Sequence, residues 1–172
     1  SADGKLMTGA SPAAMVAMLE GMRADAIGVN CSLGPKALAG VVEEYLQYAS
    51  IPVLMKPNAG LPQEINGKTV FDVLPDEFSQ DVTALIEKGV RIAGGCCGTT
   101  PAYISALVEA SKHIIPKPIT QKNITCISSY THAVQFGTSP ILIGERINPT
   151  GKKRLQQALR EHDIEYILTE GI

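Results

Sequence analysis

The sequence predicts an α/β fold built on parallel strands, and three observations carry that prediction. Between residues 11 and 112, short apolar runs alternate three times with segments of helical length and helical periodicity. The strand-like runs are apolar almost throughout, as in strands covered on both faces, so a parallel sheet with right-handed crossovers is expected. Finally, Cys31, Asn58, Cys96 and Cys97 each fall just past the end of an apolar run. That is the carboxyl end of a strand, where parallel sheets and barrels assemble their sites.

Taken in order, residues 1–8 are polar, and Ser11-Pro12 marks a helix start. Met15, Met18, Leu19 and Met22 follow at helical spacing and predict a core-facing stripe. Ala24 to Val29 is the first strand, ended by Asn30 and Cys31. Pro35 opens a helix with Leu38, Val41, Val42, Tyr45 and Leu46 inward, closing near Ser50. Pro52 to Pro57 is the second strand, and Asn58-Ala59-Gly60 its turn. In the polar loop beyond, Asn66-Gly67 suits a small hairpin. Pro75 starts a third helix, with Phe78, Val82, Leu85 and Ile86 inward and Gly89 as its stop. Val90 to Ala93 is a buried strand leading to Gly94-Gly95-Cys96-Cys97-Gly98. Thr99 or Thr100 then caps a helix that begins at Pro101, buries Ile104, Leu107, Val108 and Ser111, and ends near His113.

Residues 113–123 carry two prolines and no periodicity, which reads as a linker. Ile124 to Ser128 and Val134 to Phe136 are short strands around a turn, and Pro140 to Gly144 is a further strand. An amphipathic helix follows with Leu155, Ala158 and Leu159 inward, and a last helix is under way at Ile172. A chain that stops inside an element is expected to be one piece of a larger polypeptide.

Composition narrows the function. With 172 residues, 45% hydrophobic and a net charge of −2, the chain suits an ordinary globular domain, not a disordered segment. No basic stripe or stacking platform suits a polynucleotide, and no apolar run approaches the ~20 residues of a membrane span. Residues 1–5 lack the apolar core of a signal peptide, so a cytoplasmic protein is expected. In a reducing compartment its four cysteines favour metal or redox chemistry over structural disulfides.

The arrangement predicts one zinc ion on Cys31, Cys96 and Cys97. Three thiolates with a fourth position left open mark a catalytic rather than a structural zinc site, and the glycines around Cys96-Cys97 permit the bend that two adjacent ligands demand. A thiol entering the open position would be deprotonated at neutral pH and remain nucleophilic. Asn58 lies between the two cysteine-bearing strands, placed to hydrogen-bond that substrate or to lend its oxygen to the metal. There is a geometric objection: strands one apart anchor Cys31 and Cys96 almost ~10 Å from each other in a flat sheet. On the residues alone, a vicinal disulfide at Cys96-Cys97 and a buried structural role for Cys31 also stay open. Cys126 reads as packing, and His113, His132 and His162 share no ligand spacing.

Gly28-Val29-Asn30-Cys31, Lys56-Pro57-Asn58-Ala59-Gly60 and Gly94-Gly95-Cys96-Cys97-Gly98-Thr99-Thr100-Pro101, in this order, resemble the homocysteine S-methyltransferase family. The resemblance covers roughly residues 1–112. It implies the last three βα units of a (β/α)8 TIM barrel, whose curvature would answer the objection, with the three cysteines holding catalytic zinc at the rim and homocysteine as substrate. Gly144-Glu145-Arg146-Ile147-Asn148-Pro149-Thr150-Gly151 is similar to the first strand of the pterin-binding barrel that follows the homocysteine domain in cobalamin-dependent members. Glu145 and Asn148 would then touch methyltetrahydrofolate.

The implied organisation is a zinc barrel part at 1–112, a linker with short strands at 113–139, and the start of a pterin-binding domain at 140–172. The implied reaction moves a methyl group from methyltetrahydrofolate through cobalamin, held on a module outside this sequence, to homocysteine, giving methionine. Betaine- and sulfonium-dependent members are the alternative within the family; a vicinal-dithiol redox or metal module, or an assembly piece without chemistry, are the alternatives outside it. The acidic groups that hold homocysteine's amino group belong to earlier strands with no counterpart here. Three βα units leave sheet edges open, so the rest of the barrel must come from elsewhere and the isolated segment is expected to be inactive.

Overall fold

The computed structural model describes residues 4–6, 8–144 and 147–171. The chain forms two compact units, one up to Phe136 and one from Gly137 onward.

In the first unit, helix α1 (Pro12–Gly21) leads to strand β1 (Ile27–Asn30), helix α2 (Pro35–Tyr48) and strand β2 (Val53–Lys56). A hairpin of β3 (Pro62–Ile65) and β4 (Lys68–Phe71) follows, then α3 (Pro75–Lys88), β5 (Ile92–Ala93) and α4 (Pro101–Ser111). Local chemistry accounts for the boundaries. Ser11 accepts the Ala14 amide at the start of α1, prolines open the first turns of all four helices, and Gly89 ends α3 at φ 136°. Asn66 and Gly67 take φ 52° and 69°, the signs that a two-residue hairpin turn requires.

Strands β1, β2 and β5 form one parallel sheet in that order, with Val29 beside Met55 and Met55 beside Ala93. Each strand adds next to its predecessor. A right-handed crossover then returns every helix to the same face. Ile27, Val53 and Met55 pack against Val16 of α1, Leu38, Val42 and Tyr45 of α2 and Leu85 of α3. A third cluster joins Phe78 and Val82 of α3 to Tyr103 and Leu107 of α4.

This one-sided packing corrects the expectation that the strands are buried on both faces. Lys56 is exposed and Ile92 is 43% exposed, because among the described residues nothing covers the face opposite the helices. Two helical stripes are corrected too. On α1, Met18 and Met22 are exposed while Ala14 and Val16 are buried. That helix is apolar nearly all round, so its partners rather than its periodicity choose the inner face. On α4, Tyr103 and Leu107 face the core, and Ile104 and Val108 are exposed. The Tyr103 hydroxyl donates to the Val73 carbonyl at 2.8 Å, which fixes the rotation of the helix.

Residues 113–123 run without secondary structure but are tied to the sheet's base: the Lys122 amide donates to Ser50 Oγ at 3.0 Å. Strands β6 (Cys126–Ser128) and β7 (Ala133–Gln135) form an antiparallel hairpin, and Ser128 Oγ donates to the Ala14 carbonyl of α1 at 3.1 Å.

The second unit holds α5 (Lys153–Glu161) and α6 (Ile164–Gly171). Leu155 and Ala158 are buried as expected, whereas Leu159 is 42% exposed. Arg154 joins the two helices, lying over the Tyr166 ring and pairing with Asp163. The strand expected at Pro140 to Gly144 is not formed, and Leu142 is fully exposed. A strand exists only as part of a ladder, and no described residues pair with this one. No helix among the described residues is long and apolar enough to cross a membrane.

Candidate metal centre

Cys31, Cys96 and Cys97 converge over the carboxyl end of β2. Cys31 and Cys97 sulfurs lie 3.6 Å apart, Cys96 and Cys97 sulfurs 3.9 Å apart, and all three lie within 4.8 Å of one another. The gap expected between their strands closes because both chains fold inward onto the same segment. The Cys31 amide donates to the Lys56 carbonyl at 2.9 Å and the Cys96 amide to the Pro57 carbonyl at 2.8 Å. Consecutive carbonyls of one extended strand point to opposite sides, so the two cysteines flank β2's end and lean over it.

The turns that aim the thiols are specific. Cys31 and Ser32 both adopt the left-handed region, at φ 66° and 69°, and the Leu33 amide closes back on the Cys31 carbonyl at 2.9 Å. Such backbone costs about 1–2 kcal/mol per non-glycine residue and is retained chiefly where it positions functional groups. Across the sheet, the Thr99 amide donates to the Cys96 carbonyl at 3.2 Å and Gly98 sits at φ 80°. That is the glycine a type II turn requires at its third position.

Asn58, 5% exposed, is the buried post between the two turns. Its Oδ1 accepts the Cys97 amide at 3.1 Å, and its own amide donates to the Leu33 carbonyl at 3.0 Å. The Ala59 amide donates to the Cys97 carbonyl at 2.9 Å, so the Cys97 residue is held at both ends of its main chain. Sequence reasoning missed Ala59 and the Ser32 amide, since main-chain contacts leave no mark in residue identity.

The thiols are electrostatically unequal. The backbone amide of Ser32 holds the Cys31 thiol below its ordinary pKa, aided by the Cys97 and Cys96 thiols and by the Asn58 side chain. The Cys97 thiol is pushed up to about 11 by its hydrogen bonds with Cys31 and Cys96 and by repulsion from both sulfurs once ionised. A lowered pKa puts the thiolate at lower pH. In reduced, metal-free protein, Cys31 should therefore be alkylated by iodoacetamide at a lower pH than Cys97, although Cys97 is the more exposed. Peptide mass mapping across a pH series reads the order, and labelling of Cys97 first would contradict it.

The donor set fits zinc. At a Zn–S length of about 2.3 Å, the edge of a tetrahedron is about 3.8 Å, close to the two short sulfur separations. A disulfide sulfur pair lies about 2.05 Å apart, and all four cysteines are free. Cys126 lies apart on β6, and the three histidines join no such cluster among the described residues. In the second unit, Asn148 Oδ1 accepts the amides of Thr150 and Gly151 at 3.0 and 3.1 Å, organising the turn before α5. Glu145 lies outside the described residues.

Comparison with known proteins gives the family. The family model described as homocysteine S-methyltransferase matches residues 1–111. A methionine synthase of Mycobacterium tuberculosis is 34% identical over 169 residues, and one of Mycobacterium leprae 31% identical over 175. Each alignment covers 96% of this chain and 14% of the relative, so the chain spans about one seventh of the proteins it matches. A family match over more than half its length, on the segment that holds all three converging cysteines, places the chain in the homocysteine S-methyltransferase family.

Proposed function

We propose that this chain is the zinc-bearing part of a homocysteine methyltransferase barrel, followed by the opening of a pterin-binding domain. The observation that carries the proposal is the convergence of three free thiols within 4.8 Å of one another, two of their separations close to a tetrahedral edge, at the carboxyl ends of parallel strands. Strands in sequential order with every helix on one face suit three units of a (β/α)8 wall. Cys31, Cys96 and Cys97 are the ligands. Bound zinc would lower the pKa of the homocysteine thiol so that it stays a thiolate at neutral pH.

The chain's own residues hold the arrangement still. Asn58 and Ala59 fix the Cys97 peptide, and the turn at Cys31-Ser32 keeps that sulfur over the β2 end. With its Oδ1 engaged by the Cys97 amide, Asn58 would meet substrate through its remaining amide face. Homocysteine's thiolate then takes a methyl group, giving methionine. Alignment with methionine synthases that continues beyond the family match supports the donor route from methyltetrahydrofolate by way of cobalamin on another module. Residues 113–139 connect the two parts, and Glu145 and Asn148 belong to the folate side. The remaining βα units, and the groups for homocysteine's amino end, belong to the rest of the polypeptide, and the three thiols suit a reducing cytoplasm.

The test is metal analysis and donor assay on freshly reduced full-length protein. One zinc per chain and methionine formation with methyltetrahydrofolate plus cobalamin are expected. Metal-free protein with a Cys96–Cys97 disulfide would overturn the zinc reading; turnover with betaine or a sulfonium donor alone would overturn the donor route.

A further inference from the structure

The β3–β4 hairpin projects from the rim that carries the cysteines, and its base is fastened there on both sides. The Val73 amide donates to the Ala59 carbonyl at 3.0 Å, and the Leu61 amide donates to Asp72 Oδ1 at 3.1 Å. A Cβ on Gly60, which has φ 96°, would fall 1.8 Å from Asp72 Oδ1, so the Asp72 side chain is seated directly on that backbone. The hairpin strands are exposed along their length, yet the last residue of β4, Phe71, turns inward and packs with the cluster of Phe78 and Tyr103.

Phe71 meets the outer side of the metal-binding turn. A Cβ on Gly98 would lie 2.3 Å from Phe71 Cγ and 2.4 Å from its Cδ2, so the ring rests on the bare Cα of the residue next to Cys97. On the inner side, Cys97 is held by Asn58 Oδ1 and the Ala59 amide. Cys97 is thus held at its amide by a side-chain oxygen and at its carbonyl by a main-chain amide, and the glycine that follows it is backed by one aromatic wall. Cys97 is also the exposed member of the three, and among the described residues its thiol meets its two sulfur neighbours.

We propose that Phe71, delivered by the β3–β4 hairpin, is a positioning residue for the metal centre: its ring on Gly98 fixes the turn that aims the Cys97 sulfur. Gly98 is then required twice, for its positive φ and for the space the ring occupies. The inference rests on the zinc reading. A chelator competition on full-length protein, with cobalt(II) substituted for zinc to report thiolate coordination by its absorption spectrum, separates the two.

Wild-type protein that binds neither metal would remove the zinc reading and this inference together. Given wild-type binding, Phe71→Ala is expected to lower metal affinity roughly ten- to a hundredfold, the range for groups that orient ligands. Its cobalt spectrum should also shift at temperatures where circular dichroism shows folded protein, and Phe71→Tyr, which keeps the ring, should restore both. If Phe71→Ala folds poorly, Phe71→Leu, which keeps apolar bulk without the flat ring, is read by the same two measurements. Folded Phe71→Ala or Phe71→Leu protein with affinity within about twofold of wild type and an unchanged cobalt spectrum would overturn the inference and leave the zinc reading standing.

Discussion

On the proposed zinc reading, Cys96→Ser is expected to leave a folded protein that no longer binds the metal. Cys96 is half-buried on the turn after β5, and its structural duties are carried by its main chain: its amide donates to the Pro57 carbonyl, and its own carbonyl accepts from Thr99. Serine preserves those bonds and changes only the sulfur. A hydroxyl is a poor zinc ligand beside a thiolate, so two thiolates and two open positions remain. The loss of affinity should exceed the roughly hundredfold that orienting groups cost. Elemental analysis and thermal melting of the same preparation decide the matter. Retention of one zinc per chain would exclude Cys96 as a ligand, and the same comparison applies to Cys31→Ser and Cys97→Ser.

Phe78→Ala is expected to be the most damaging single change to stability. Phe78 has no exposed surface, and its ring meets Tyr103 edge to face, with centroids 5.4 Å apart and planes at 86°. Removing such a side chain leaves a cavity between α3 and α4 and costs about 3–5 kcal/mol, including the aromatic pair. The damage should reach the metal centre, because Phe78 shares its cluster with Ala59, whose amide holds the Cys97 carbonyl. Urea denaturation measures the first effect. A loss below about 1 kcal/mol would mean that this cluster does not hold α4 to the sheet.

The corrections to the sequence-based expectations share one cause. Helix α1 has apolar residues on most of its circumference, so periodicity alone could not choose between Met18 and Val16 as the buried side. In α4 a stripe of Ile104 and Val108 looked as apolar as the one containing Tyr103, but only Tyr103 carries a hydroxyl that finds the Val73 carbonyl. Pro140 to Gly144 has strand-like residues and no partner strand among those described. In each case the local pattern was compatible with several neighbours, and the neighbour made the choice.

Residue identity by itself determined the alternation of strands and helices, their starts at Ser11-Pro12, Pro35, Pro75 and Pro101, and the placement of three cysteines after strand ends. Capping, proline geometry and apolar spacing act within a few residues, so they can be read locally. Whether Cys31 could meet Cys96 and Cys97 was decided only in three dimensions, by two carbonyls of the β2 segment that draw both turns inward and by left-handed backbone at Cys31 and Ser32. The seat of Phe71 on Gly98 likewise joins positions 27 residues apart in the chain (98 − 71), through a contact to a missing side chain. Separations of a few ångströms between remote segments are set by packing and main-chain hydrogen bonds, which no one-dimensional pattern records.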